Sequence, residues 1–184
     1  MPVYDEGMLR FNFAASWTES NVKKLDAHAF YRSRVVRALQ HTKAVDFAGI
    51  YPPGEIYLVE VKDYRVGDGG PTVQDLAQAV AEKVHDSVAV AVAAAREYNP
   101  PGADCLPEIG RTLPDPNHTL RVILWVEDPT SGVNKQKHEL SVLTNVLKKK
   151  LRWITSKVLA VGLASYAGVP PGLRVTNLPG VGGP

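Results

Sequence analysis

The apolar residues of this chain change their spacing several times, and each change marks an element. From Thr72 onward they recur at Val73, Leu76, Ala77, Val80, Val84, Val88, Ala91, Val92 and Ala95, the period of one buried helix face. The local VAVAV stretch alternates as a strand would, but its alanines and its continuity with the preceding stripe assign it to the helix. Thr72 and Asp75 stand in capping-box spacing at the start, and Asn99-Pro100-Pro101-Gly102 ends the run. A second helix is predicted over 134–154, on the stripe Leu140, Leu143, Leu147, Leu151 and Ile154. Shorter apolar runs predict strands at 43–50, 55–62, 119–126 and 157–163. Tyr51-Pro52-Pro53-Gly54 separates the first two and is a strong turn signal, so they pair as a hairpin.

Weaker alternation at 8–13 and 21–25 marks two more strand candidates, and 27–39 reads as a short helix carrying Arg32, Arg34 and Arg37. Residues 63–71 and the proline-rich 103–118 read as loops. Strands followed by long helices that return to further strands predict an α/β fold: three layers, α/β/α, around a mixed central sheet. One domain is expected over 1–168, followed by a Pro/Gly-rich tail over 169–184.

With 184 residues and 45% apolar content, the chain can bury one sizeable core. A net charge of +2 does not announce a nucleic-acid binder, but its distribution is uneven. Residues 135–157 hold seven Lys or Arg against one acid, while 96–134 hold three against six. Within the basic segment, Lys148, Lys149, Lys150 and Arg152 are the best candidates for nucleic-acid backbone contact. The competing reading is a solvated helix C-terminus, where the dipole favours cations. The neighbouring Trp153 suits stacking on a base or packing on Ile154. Cys105 is the single cysteine, which excludes an intrachain disulfide and a thiolate zinc cluster. The N-terminus lacks a signal-peptide pattern and no apolar run is long enough for a bilayer, so a cytoplasmic protein with no membrane partner is expected.

The candidate chemistry lies in the hairpin. Glu60-Val61-Lys62 closes the run LVEVK, and Asp46 lies inside KAVDFAGI. If Ile50 stands opposite Glu55, Asp46 falls across from Val59 and within reach of Glu60, while strand alternation puts Glu60 and Lys62 on one face. An unpaired carboxylate between Val45 and Phe47 costs on the order of several kcal/mol to desolvate. A salt bridge from Lys43 or Lys62 to Asp46 is the structural answer. A hard cation is the chemical one: side-chain oxygens of Asp46 and Glu60, the Val61 carbonyl and several waters satisfy octahedral Mg²⁺ or Mn²⁺. With Lys62 placed to orient water or stabilise charge, these are the parts that phosphodiester hydrolysis requires.

Val45-Asp46 followed by Glu60-Val61-Lys62, each in an apolar strand, resembles the motif of the PD-(D/E)XK nuclease superfamily, with Val45 where the family pattern has proline. The close likeness covers 43–65, with a looser likeness of element order to about 163. The resemblance implies a restriction-endonuclease-like fold and a Mg²⁺-dependent nuclease, most often acting on DNA. Asp46 and Glu60 would be metal ligands and Lys62 the catalytic lysine. Many members add an acid from the first helix, for which Glu19, and behind it Glu6, are the candidates. Some use a glutamine from the helix after the lysine strand, which marks Gln78. Nucleic acid is the implied partner, with a homodimer or a specificity-supplying protein as further expectations. The alternative is a catalytically inactive nuclease-like domain that binds nucleic acid or serves in assembly.

Overall fold

The structure, a computed structural model, describes residues 1–65, 70–128, 133–166 and 169–179, with backbone alone at 133–135. The first half of the chain holds β1 (Val3–Glu6), β2 (Leu9–Phe13), β3 (Val22–Lys24), β4 (Phe47–Tyr51) and β5 (Glu55–Asp63). Between β3 and β4 a short helical segment, α1, winds as a π-helix over Tyr31–Val35 and as an α-helix over Val36–Ala38. The second half holds α2 (Val73–Glu97), α3 (Cys105–Thr112), β6 (Leu120–Glu127), α4 (Val133–Leu151), β7 (Val158–Val161) and β8 (Leu173–Asn177).

Five strands form a mixed sheet in the order β3-β4-β5-β6-β7, antiparallel as far as β5 and parallel beyond it. Alternation sorts its side chains between two cores. Ala48, Ile56, Leu58, Leu124 and Ala160 pack with Leu76, Val80 and Leu147 from the helices. Phe47, Tyr57, Val59, Ile123 and Trp125 face the other way, onto Leu9, Phe11, Phe13, Leu173 and Val175. These last residues belong to a three-stranded antiparallel sheet, β1-β2-β8. The three layers around a mixed sheet are those expected, but the second covering layer is β rather than α. Among the described residues, the helical members of the two cores all belong to the first. Aromatic contacts join the sheets, with Phe11 5.1 Å from Phe47 and 5.6 Å from Trp125 between ring centroids.

Three further expectations change. The segment after 168 is not simply a tail, because β8 pairs with β2, Phe11 opposite Val175; residues 180–184 lie outside the described residues. The 103–118 stretch contains α3, capped by Asp104 Oδ1, which accepts the Leu106 N–H at 2.9 Å. Pro107 sits in its first turn, where a missing N–H is harmless, and Cys105, Leu106 and Ile109 are buried. Gly110 lets α3 approach α2 closely: a Cβ there would fall 2.1 Å from the Ala91 carbonyl oxygen.

The third change is the hairpin register. Ile50 pairs with Ile56 and Tyr51 with Glu55, one residue from the expected alignment. Pro52, Pro53 and Gly54 form a three-residue loop, closed by the Gly54 N–H on the Tyr51 carbonyl at 2.8 Å. Gly54 holds φ +137°, which a residue with a side chain rarely adopts. The slip matters, since one residue exchanges the two faces of a strand. It carries position 46, the residue before β4, level with Glu60. Among the described residues no helix is long and apolar enough to cross a membrane.

Candidate functional site

The site exists because β5 is longer than β4. Phe47, the first residue of β4, pairs with Val59, whereas β5 continues to Asp63 along β6. The Ile56 and Tyr64 N–H groups donate to carbonyls of Thr119 and Glu127, so even-numbered residues of β5 turn their backbone toward β6 and odd ones toward β4. Val61 is therefore the first residue to face the space where β4 has ended. Its N–H donates to Asp46 Oδ2 at 2.6 Å, and its carbonyl opens to the same side. Asp46 thus completes the edge of β5 with a side chain. It is held there by the Leu25 N–H on its own carbonyl, 2.8 Å, and by the Val45 N–H on Ser87 Oγ, 3.0 Å, which ties this stretch to α2.

Glu60 is fully buried. Its Oε1 lies 2.7 Å from Lys62 Nζ and 2.7 Å from Lys83 Nζ on α2. Neither ammonium is directed as a well-formed hydrogen bond, and Oε2 has no partner among the described residues. Lys62 does not bridge to Asp46, the alternative raised by the spacing. Burial, and after it the charge of Glu60, push the Asp46 carboxyl up to about 7; the Val61 amide and the Lys83 ammonium act against that rise, and Glu6 adds to it.

Of the two candidate additional acids, Glu6 is the nearer. It ends β1 and pairs with Lys24 at 2.5 Å. The following turn is anchored to the end of β5 by the Met8 N–H on Asp63 Oδ2, 2.8 Å. Glu19 is exposed, and its charge acts on Tyr4 rather than on the acids. Among the described residues no three or more His, Cys, Asp or Glu side chains form a cage for a metal.

The structure brings Asp46, Glu60, Val61 and Lys62 together and leaves the other candidates elsewhere. Gln78 is exposed, with Nε2 on Glu82 Oε1 at 2.8 Å and Oε1 accepting Lys150 Nζ at 2.7 Å. It borders an open cleft of about 590 Å³ shared with His41, Lys43, His85 and Trp153. Five residues separate it from Lys83, about 140° round the helix, so both cannot face Glu60. The basic run lies at the end of α4 beside the beginning of β6, where Thr155 Oγ1 donates to the Leu120 carbonyl at 2.7 Å. Glu60 and Lys62 instead stand level with Leu124 and Val126, toward the other end of that strand. Lys148, Lys149 and Arg152 are exposed, and Trp153 is 69% exposed with its ring 5.9 Å from that of His85. Lys83 is the residue that reading the sequence missed. Its signal was a lysine set among Leu76, Val80 and Ser87, all buried, at helical spacing.

No protein-family model, curated protein or solved structure matches the chain. Fold and site by themselves define an α/β protein with a buried acid–lysine centre at the end of its central strand.

Proposed function

We propose that this protein is a metal-dependent nuclease of the PD-(D/E)XK kind, hydrolysing phosphodiester bonds of nucleic acid, DNA foremost. The observation that carries this reading is the buried pair: Asp46, just before β4, closes the edge of β5 beside Glu60, and Lys62 lies on a Glu60 oxygen. The donors suit a divalent cation. Glu60 Oε2 is buried and unpartnered among the described residues, and Asp46 is driven toward protonation by its surroundings. A cation between them relieves both. Asp46, Glu60 and the Val61 carbonyl would hold Mg²⁺ or Mn²⁺, which is commonly bound by one or two carboxylates with water and substrate phosphate completing the shell.

When bound, the cation supplies Lewis acidity, polarising a phosphoryl oxygen and acidifying water. Asp46 must be ionised to bind it, so loading strengthens as pH rises through about 7. Lys62, whose side chain is 28% exposed at the rim, orients the attacking water and offsets charge growing on the phosphate oxygens. Its pairing with Glu60 suits it to positioning rather than to proton abstraction. Lys148, Lys149 and Arg152 would grip the phosphate backbone at a distance from the cut. The second reading, an inactive nuclease-like binding or assembly module, is favoured by the two lysines that already neutralise Glu60.

Titrating Mn²⁺ into wild type and Asp46→Ala, with bound ion followed by electron paramagnetic resonance, separates the two readings. The nuclease reading expects a site in wild type that the variant lacks. Equal, weak binding to both would leave the inactive module standing.

A further inference from the structure

Two lysines meet Glu60, but they stand differently. Lys62 comes from the same strand, two residues on, and its side chain is the more exposed, 28% against 20%. Lys83 comes from α2, across the helix–sheet interface, and its charge acts on Asp46 as well as on Glu60. Lys83 thus pairs directly with Glu60 and reaches Asp46 through its charge, without an ion-pair contact. Its backbone is pinned, because Ser87 Oγ donates to the Lys83 carbonyl at 2.7 Å and itself accepts the Val45 N–H at 3.0 Å. The helix turn bearing Lys83 and the strand start bearing Asp46 are thus one unit, and only the lysine's flexible stem is left to move.

Resting on the nuclease reading, we infer that Lys83 is an internal placeholder cation: its ammonium neutralises Asp46 and Glu60 while the site is empty and must withdraw for a divalent metal to enter. A buried carboxylate with no counter-ion would be strongly destabilising, so the metal-free protein needs such a group. The same ammonium then competes with the metal, and Lys83 sets how tightly the site loads. It is a positioning residue, acting on reacting groups through Glu60.

Mn²⁺ affinity measured by electron paramagnetic resonance at pH 8, together with the melting temperature with and without Mn²⁺, tests this. Lys83→Met should bind Mn²⁺ at least about tenfold more tightly than wild type, since losing one competing charge beside a shared carboxylate is worth that or more at an effective dielectric of about 20. It should melt lower than wild type without metal and regain more on adding Mn²⁺. Lys83→Arg, which keeps the charge, should stay near wild-type affinity, and Lys62→Met should shift it far less than Lys83→Met. If Lys83→Met does not fold, Lys83→Gln carries the same comparison. Asp46→Asn reports on the underlying reading. Mn²⁺ binding that Asp46→Asn abolishes but that Lys83→Met leaves unchanged overturns the placeholder role alone, making Lys83 merely structural. No Mn²⁺ binding by any of the proteins overturns both.

Discussion

Asp46→Asn isolates the electrostatic cost on which the site is built. Asparagine has nearly the same shape and keeps an oxygen to accept the Val61 N–H, so the edge of β5 stays closed. What it removes is the charge. The Asp46 carboxyl rises from 3.8 to about 7 in the folded chain. A raised acid favours folding fully only below its unfolded value, and that contribution is lost as pH climbs through the folded value. At about 1.36 kcal/mol per unit, the loss between pH 3 and pH 8 is on the order of 4 kcal/mol. In metal-free buffer, urea denaturation of wild type and Asp46→Asn should therefore diverge with pH. The variant gains on wild type from pH 4 to 7 and exceeds it at pH 8 by a few kcal/mol. Saturating Mn²⁺ should close that gap by stabilising wild type alone. A stability difference that does not vary with pH, or a variant less stable at pH 8, would refute the reasoning.

Other perturbations have equally definite outcomes. Lys62→Met should lower cleavage by about 10²–10³-fold, the usual scale for losing one group that stabilises transition-state charge, while Mn²⁺ binding stays largely intact; single-turnover assays on one substrate would check it. Gly110→Ala should destabilise by about 1–3 kcal/mol through overpacking against the Ala91 carbonyl, seen as a lower urea midpoint with an unchanged slope. Replacing Lys148, Lys149 and Lys150 with Gln should flatten the dependence of duplex affinity on salt, each lost phosphate contact lowering the log–log slope by about 0.9. Leu140, Leu143, Leu147 and Leu151 are the buried face of that helix, so its stability should change little.

The centre was legible because strand alternation and a turn are local signals. Glu60 and Lys62 share a face for the simplest reason in a strand, and the Pro-Pro-Gly turn brings Asp46 back to them. Their exact pairing was not legible, since it depends on a three-residue loop and on the backbone Gly54 adopts. Lys83 was hidden by residue type: among valines and alanines a lysine reads as a solvated charge, and only the packing of α2 over β5 reveals its partner. Gln78 is the opposite case, a polar residue suggested by resemblance that lies exposed and pairs with Lys150. The small sheet escaped for a third reason. β8 alternates over only five residues among prolines and glycines, and its partner β2 lies more than a hundred residues earlier in the chain. Contacts of that range leave no trace in local spacing.

The most direct test of the central claim is cleavage of a labelled duplex and a labelled single strand by wild type, Asp46→Asn and Glu60→Gln, prepared in parallel and assayed with Mg²⁺, with Mn²⁺ and with chelator. Wild type should cleave with metal and not with chelator, and neither variant should cleave above background while both remain folded. Metal-independent cleavage, or equal cleavage by Asp46→Asn, would contradict that claim.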